Sequence, residues 1–448
     1  MRTATLLASP AAGGGVRAEA ERFVASLITA AARWDNRPTA AAFCRILMVL
    51  GTTTIKKMAS GALRELTAGG VYPPDWVADI GKPTPGQAWR RYDVFGDDEA
   101  IAVTYSYGET RFAALAMIDL TTAPVAVTAG IAADPDKLIA SLEGNSPLER
   151  WEEISLAQAR RHLEGPLIRA SIRGYGELSG TSAAFMPAVR AYVRRLPEDD
   201  SADAPAYTVA DRAAAVADFL ASPQAAEPSA GLDLETLRFW AQALTGYSGR
   251  VPGEPTAQVG PRKLVALLGH VANTFTLTEA QLAGMRPAVT AWTTWAADRQ
   301  GLDTDATAQV LASLPKALDA FAAGYADPRS AVSRAYLRDV ATSDAEVTEL
   351  AAVVTRRSLA VPFPDIGEAG QPVMDVTDQA ARAALVAAEF ASCQLDDGQA
   401  RESLIGEATR VVEELWSGEP AATWDAVRRL AAEGRPRHDA IHVVIRRG

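Results

Sequence analysis

The chain has 448 residues, of which 48% are hydrophobic and 22% charged, and this composition argues against global disorder and predicts two or three domains with a substantial core. Its formal net charge of −11 argues against wholesale wrapping of nucleic acid or of an anionic membrane surface. Two cysteines, Cys44 and Cys393, are too few for a disulfide framework or a thiolate metal cluster and fit a reducing, cytoplasmic environment. Cys44 lies in the apolar run Ala40–Leu50, where we interpret it as a small core residue.

The N-terminal segment and the apolar runs bear on targeting. The short Ala/Leu stretch at the start ends at Gly13-Gly14-Gly15, so no cleaved signal peptide is expected. No uninterrupted apolar run reaches the roughly 18 residues that span a bilayer. We therefore expect a soluble cytoplasmic protein that has no membrane partner.

Three helices are predicted before the first strand. Apolar residues at three- and four-residue spacing predict a helix from Arg17 to Trp34, and two more are predicted at 39–50 and 52–69. Lys56, Lys57 and Arg64 on the third helix raise the alternative of a DNA-reading helix-turn-helix, although no basic wing follows. A solvated helix face is the simpler interpretation, and nucleic acid is not the expected partner.

Residues 88–128 predict an antiparallel β-meander. Large apolar residues alternate with small or polar ones along its second strand, at Ile101, Val103, Tyr105 and Tyr107. Gly96 and Gly108 mark hairpin turns on either side of this strand. The third strand, at 111–118, is apolar on both faces, which predicts an interior position under covering helices, with Tyr105 and Phe112 in the core. Residues 125–128 predict an edge strand after Pro124.

The remaining segments complete a domain map. Helical spacing resumes after the meander, and residues 1–196 are interpreted as one α+β domain. The acidic segment 197–207, which contains prolines and no apolar anchor, predicts a linker. Residues 208–360 predict an all-helical domain, and the prolines that follow Val361 separate it from a helical C-terminal subdomain at 361–448. The predicted fold class is an α+β N-terminal domain followed by all-α domains, mainly helical overall.

Sequence signatures of common active sites are absent. There is no Walker-type phosphate loop and no G-x-S-x-G elbow, and the glycines of Gly174–Gly180 are wrongly spaced for a dinucleotide fingerprint. His162 is expected to face solvent. His270, on an apolar helix face, is interpreted as a satisfied core histidine.

His438 and His442 form the most specific candidate site. Their spacing of four residues places both imidazoles on one face of a short helix, where two metal ligands can stand. The H-E-x-x-H base is replaced by Asp439, and no third ligand is visible nearby. In the alternative, His438 caps or packs at the helix start while His442 packs against Trp416 or Trp424.

The same C-terminal segment carries a basic surplus. Six arginines oppose Glu433 and Asp439 between Arg428 and Gly448, a local net charge of +4 (6 − 2). Arg435, Arg437 and Arg447 are the candidate partner-binding residues, for an acidic protein, a phosphate-bearing ligand or the acidic linker of the chain itself. A solvated face with arginines near helix carbonyls is the competing interpretation.

A family resemblance rests on scattered residues. In the C-terminal part these are Leu415-Trp416, Pro420, Trp424, Arg429-Leu430, Gly434, Arg437-His438 and His442. Further matches are Val216–Leu220 with Ser222-Pro223, Ala291-Trp292, Trp295-Ala296, Gly301-Leu302 and Asp93–Asp97. This pattern resembles a family of uncharacterised helical proteins from high-GC bacteria. The resemblance implies a mainly helical architecture and, because the family has no assigned activity or cofactor, no function.

Three functional hypotheses therefore stand. The leading one is a binding or regulatory protein without catalysis. The first alternative is an enzyme with a site in a cleft between the domains, for which His270 is a candidate residue. The second is a metal-binding protein that uses His438 and His442.

Overall fold

A computed structural model describes residues 14–31, 33–51, 53–143, 146–173, 180–199, 208–226, 231–247, 256–342, 347–361, 375–391, 393, 401–432, 435 and 437–446. The chain divides into two compact units, Met1–Pro205 and Ala206–Gly448. The sequence-predicted linker at 197–207 and the segment after Val361 lie largely outside the described residues.

The first unit begins with helices. They are α1 (Gly14–Ala31), α2 (Arg37–Leu50), α3 (Thr53–Ala68) and a 3-10 turn (Asp75–Asp79). The Asn36 side chain accepts a hydrogen bond from the Thr39 backbone N–H at 3.2 Å, which satisfies a free donor at the start of α2. Cys44 is fully buried, as the apolar run predicts, in a core with Val24, Ala41, Leu47 and Ile55.

A five-stranded antiparallel sheet follows. The elements are β1 (Thr84–Asp93), β2 (Asp98–Tyr107), β3 (Thr110–Asp119), β4 (Val125–Ala132), α4 (Pro135–Leu142) and β5 (Glu149–Ile154). Their order in the sheet is β4-β3-β2-β1-β5, so β3 is interior and β4 is an edge strand. Gly96 and Gly108 have φ of 72° and 58° in the two hairpin turns, a conformation that favours glycine. The predicted α+β class of the N-terminal region is confirmed.

The fifth strand was not predicted from the sequence. β5 pairs antiparallel with β1, with Arg91 opposite Trp151, and so covers the edge that β1 would otherwise expose. The segment Glu149–Ile154 carries three glutamates and an arginine and therefore lacks the apolar signal of a strand. It forms a strand because β1 offers it a row of unpaired backbone groups.

Two helices, α5 (Leu156–Arg173) and α6 (Gly180–Val193), cover one face of the sheet. The ring of Phe112 lies 5.6 Å from that of Tyr105 and 5.5 Å from that of Tyr192 on α6. Tyr105 is 2% exposed and Phe112 is 8% exposed. This aromatic cluster joins the sheet to its covering helices.

The regular elements described in the second unit are all helices. Its first part comprises α7 (Val209–Leu220), α8 (Pro223–Ala226), α9 (Leu234–Tyr247), α10 (Pro261–Thr274), α11 (Glu279–Gln300), α12 (Thr304–Ala326) and α13 (Pro328–Leu337). Its last part comprises α14 (Val347–Ala360), α15 (Gln379–Phe390), α16 (Arg401–Ser417), α17 (Ala421–Ala432) and α18 (Arg437–Ile445). Among the described residues, no helix combines the length and apolar character needed to cross a membrane.

The last part of this unit has its own apolar core, and this core positions the candidate site. Buried residues of α15, α16 and α18 meet there, among them Val386, Phe390, Leu415, Ile441 and Ile445. Two guanidinium groups lie over the ring of Trp416, that of Arg357 at 4.5 Å and that of Arg382 at 4.6 Å from the ring centre. Cation–π contacts therefore add to the apolar packing that holds α14, α15 and α16 together beside α18.

Candidate metal centre

The candidate site lies where the end of α15 meets α18. The Cys393 backbone N–H donates to the Phe390 carbonyl oxygen at 3.3 Å, in a turn that carries the cysteine just past the end of α15. His438 and His442 stand one helical turn apart on α18, as their spacing predicts. Burial of Ile441 and Ile445 fixes the rotation of α18, and both imidazoles then point to Cys393.

Three donor atoms converge at this point. The Cys393 Sγ lies 3.2 Å from the Nε2 of His438 and 3.5 Å from the Nε2 of His442. All three donor atoms lie within 4.8 Å of one another. In a tetrahedral zinc site with a Zn–S bond of about 2.3 Å and a Zn–N bond of about 2.0 Å, sulfur and nitrogen are about 3.5 Å apart. The spacing of the side chains therefore fits a single bound ion with little rearrangement.

A carboxylate orients one of the imidazoles. The Glu389 Oε1 lies 3.2 Å from the Nδ1 of His438. Because an ionised carboxylate only accepts hydrogen bonds, the proton belongs on Nδ1, and the neutral ring then turns a lone pair on Nε2 toward Cys393. Metal-binding histidines commonly make this contact, because it fixes the tautomer and raises the basicity of the ligand.

Arg437 holds the carboxylate in turn. Its Nη1 donates to Glu389 at 2.5 Å, while its Nε and Nη2 donate to the carbonyl oxygens of Leu359 at 2.7 Å and Ala360 at 2.5 Å. Those carbonyls belong to the last turn of α14, where backbone acceptors have no partner within the helix. One arginine thus ties α14, α15 and α18 together beside the donor cluster.

Phe390 forms the inner wall of the site. Its fully buried ring stacks on His438 at 4.4 Å between ring centres and lies 5.2 Å from the ring of His442. The imidazoles themselves are only half-buried, since the His438 side chain is 34% exposed. The site is therefore backed by the core, and part of His438 is exposed.

The protonation of Cys393 follows from its surroundings. Burial raises the pKa of the thiol and the charge of Glu389 raises it further, while the guanidinium of Arg401 partly offsets both. The thiol therefore keeps its proton at neutral pH in the absence of a cation. A bound metal ion removes that proton, because thiolate is the form that coordinates.

Neither Cys393 nor Glu389 is predicted from the sequence to belong to the metal site. Cys393 and Glu389 precede His438 by 45 and 49 residues, far beyond the one-turn spacing that links the two histidines. A pairing over this distance has no spacing signature, and only the packing of α18 against α15 reveals it. His442 packs against the ring of Phe390. Trp416, one of the two tryptophans considered as a neighbour of His442, has described ring contacts with Tyr336 and with the guanidinium groups of two arginines.

The three candidate partner-binding arginines occupy different settings. Arg435 is exposed, and Arg447 lies outside the described residues. Arg437 is 14% exposed and is occupied by Glu389 and the two carbonyls of α14. Its described contacts are therefore those of a structural residue.

The other histidines named by the sequence lie elsewhere. His270 is half-buried, shares a hydrogen bond with Thr274 at 3.1 Å and packs on the ring of Tyr247 at 4.8 Å. His162 was expected to face solvent but is half-buried, with its Nδ1 3.1 Å from the Glu99 carboxylate. Glu99 lies on β2 and is 4% exposed, and Arg90 also donates to it at 2.7 Å.

The basic residues of α3 and the glycine-containing segment, which the sequence also singled out, add no described metal-binding atom to this site. Lys57 and Arg64 are exposed on α3, while burial and the nearby Arg194 and Arg190 lower the pKa of the half-buried Lys56. Residues 174–179 of the glycine-containing segment lie outside the described part of the chain.

Comparisons with known proteins do not identify a function. No family model matches the chain, and neither a curated protein nor a solved structure matches it. Its function must therefore be inferred from the chemistry of the site.

Proposed function

We propose that this protein binds a transition-metal ion of the zinc class through Cys393, His438 and His442. The observation that carries the proposal is the convergence of one sulfur and two Nε2 atoms at spacings suited to tetrahedral coordination. The Glu389 contact to His438 supports it, since the Nε2 lone pair is thereby turned toward the same point.

The donor types select the ion. Thiolate and imidazole prefer Zn²⁺ or Cu⁺ over Mg²⁺ and Ca²⁺, which require oxygen ligands. The reducing environment expected from the two cysteines keeps the thiol available. Zinc(II) is our choice, because two imidazoles beside one thiolate form a donor set typical of it.

The role we assign to the ion is binding or regulation in place of acid–base catalysis. A hydrolytic zinc enzyme needs a base near the metal-bound water. The described carboxylate that contacts a donor residue is Glu389, and it is occupied by Arg437 and His438. A bound ion would instead join α18 to α15, so the order of the C-terminal helices would depend on metal supply.

Metal analysis of the purified full-length chain tests the proposal. We expect one equivalent of Zn²⁺ per chain, and we expect Cys393→Ser, His438→Ala and His442→Ala each to weaken binding at least about tenfold in competition with a chromophoric chelator. Cys44→Ala and His270→Ala are matched controls that lie outside the site and should retain the wild-type affinity. Loss of zinc in the controls, or retention of it in all three site variants, would contradict the proposal.

A cysteine nucleophile is the second candidate. Its support is the chain of contacts from Cys393 Sγ through His438 to Glu389, both at 3.2 Å, the order of nucleophile, base and orienting acid. The raised pKa of Cys393 opposes it, since thiolate is the reactive form. Iodoacetamide labelling of metal-free protein separates the two: this candidate requires fast labelling at neutral pH that slows in His438→Ala, and the metal proposal predicts slow labelling.

A further inference from the structure

We infer that Cys393 is a site of reversible oxidation, and that its conversion to a sulfenic acid by a peroxide releases the ion held with His438 and His442. This inference rests on the proposed function, and it names the way in which the metal site would be regulated. Peroxides are the class of oxidant, because a thiolate reacts with them directly.

The metal site depends on a single sulfur atom. The Cys393 Sγ lies 3.2 Å from the Nε2 of His438 and 3.5 Å from the Nε2 of His442. The whole chain has only two cysteines, and the other one, Cys44, is fully buried in the apolar core of α1, α2 and α3. No other residue can therefore replace the thiolate of Cys393, and its loss leaves two neutral imidazoles to hold the ion.

The two cysteines differ in their access to a small oxidant. Cys44 is 0% exposed, whereas Cys393 is half-buried. Hydrogen peroxide is little larger than water, so partial exposure of the sulfur is sufficient for it to react. A bound ion also takes the proton from Cys393 and leaves a thiolate, the nucleophilic form of the side chain. Peroxide should therefore oxidise Cys393 and spare Cys44.

The oxidation step needs only the peroxide as co-reactant. The thiolate sulfur attacks one oxygen of hydrogen peroxide, an S–O bond forms, and the O–O bond breaks with its electron pair leaving on hydroxide. Sulfur is thereby oxidised from thiolate to sulfenic acid, and the peroxide is reduced. Because thiolate is the form that coordinates zinc, affinity for the ion should fall at least about tenfold, as expected for loss of one ligand.

The surrounding contacts predict release of the ion without unfolding. Phe390 stacks on the ring of His438, and Arg437 donates to Glu389, and neither contact involves the sulfur. These contacts should persist after oxidation of Cys393. The change would then be confined to the link that the ion makes between α15 and α18.

Peroxide treatment of the zinc-loaded full-length chain tests the inference. Released zinc is measured with a chromophoric chelator too weak to remove the ion from the untreated chain. Sulfenic acid is trapped with dimedone and located by mass spectrometry, and circular dichroism monitors folding. We expect zinc release together with a dimedone adduct on Cys393, no adduct on Cys44, and unchanged helical content. After removal of the peroxide, a phosphine reductant should take the oxygen from untrapped sulfenic acid and restore zinc binding.

Two variants serve as controls. Cys44→Ala should release zinc at the wild-type rate, because Cys44 lies outside the site. Cys393→Asp offers a carboxylate in place of the thiolate, and it should bind zinc more weakly but keep it in the presence of peroxide. Release from a zinc-loaded Cys393→Asp variant at the wild-type rate would overturn the inference.

Failure of the inference is distinguishable from failure of the proposed function. If the chain binds zinc but peroxide neither oxidises Cys393 nor releases the ion, the inference is overturned and the proposed function stands. The same holds if Cys393 is oxidised while zinc stays bound, or if zinc leaves without an adduct on Cys393. If the untreated chain binds no zinc, both are overturned.

Discussion

His438 directs its Nδ1 at the carboxylate of Glu389, 3.2 Å away, although the two residues are 49 positions apart in the chain. Glu389 accepts from Arg437 at the same time, so a single carboxylate connects the candidate ligand to the helix-tying arginine. The orientation of His438 thus depends on the same contacts that hold α14, α15 and α18 together.

Replacing Glu389 with Ala should weaken Zn²⁺ binding about 10- to 100-fold, because His438 loses the acceptor that sets its tautomer. Glu389→Gln should have a smaller effect, since the amide oxygen still accepts the hydrogen bond. Chelator competition measures both affinities. Glu407→Gln, at a largely exposed side chain on α16, is the control. A wild-type affinity for Zn²⁺ in Glu389→Ala would show that the contact between Glu389 and His438 does not position this imidazole.

Replacing Arg437 with Met should lower the free energy of unfolding by about 2–3 kcal/mol, because two carbonyl oxygens of α14 and the Glu389 carboxylate lose a largely buried donor. Arg435→Met, at an exposed position, should change it by less than about 0.5 kcal/mol. Urea unfolding, monitored by circular dichroism, gives the free energies of unfolding of the two variants. Equal stability of the two variants would contradict the structural role of Arg437.

This role of Arg437 affects any test of the arginines as a partner-binding group. A partner assay should use Arg435→Ser with Arg447→Ser and leave Arg437 in place, because loss of Arg437 would confound binding with stability. We expect weaker binding of an acidic partner at low ionic strength, where screening is least. Unchanged binding in that double variant would identify these arginines as solvated surface.

Replacing Phe112 with Ala should lower the free energy of unfolding of the first unit by about 3–5 kcal/mol, because the 8% exposed ring fills the space between the sheet and α6. Phe23→Ala provides a contrast, since Phe23 is 54% exposed. Thermal unfolding distinguishes the two. A melting temperature of Phe112→Ala equal to that of the wild type would place Phe112 outside the core.

Glu99 should make the first unit sensitive to acid. Burial acts to raise the pKa of this carboxyl, but the hydrogen bond and charge of His162 together with those of Arg90 outweigh it and lower the pKa below the ordinary value. A lowered folded-state pKa contributes stability that is fully present above the unfolded-state pKa. That contribution is lost as the pH falls through the folded-state value.

The measurement compares wild type with Glu99→Gln across pH. The difference in their free energies of unfolding should be largest near neutral pH and should shrink below about pH 4, where carboxyl groups protonate. Glu149→Gln is the control, because Glu149 is 31% exposed and lies 3.7 Å from Arg91. A difference that stays constant from neutral to acidic pH would refute the assigned linkage.

Limited proteolysis should first cleave the full chain within the predicted linker from Pro197 to Pro205, which carries four acidic residues and offers no apolar anchor. At the start of this segment, Arg160 donates to Glu198 at 3.1 Å and Arg161 pairs with Asp199, which ties residues 198 and 199 to α5. Mass spectrometry of the fragments locates the cut. A first cut within the meander at residues 89–119 would invalidate the domain division inferred from the sequence.

Features that depend only on neighbouring residues could be predicted from the amino-acid sequence. Alternation of apolar residues and the glycine turns at Gly96 and Gly108 specified β2 and β3, because side-chain direction and backbone conformation are local properties. The four-residue spacing of His438 and His442 likewise placed both rings on one helix face. It could not orient that face toward any particular partner.

Contacts between residues that are far apart in the sequence depend on the tertiary fold. β5 forms from a charged segment because the edge of β1 pairs with it, and Glu99 finds His162 only when α5 covers the sheet. Cys393 reaches the histidines because the buried side chains of α15 and α18 share one apolar core. Such contacts arise from the packing of whole faces, and the spacing of residues along the chain does not encode which faces will meet.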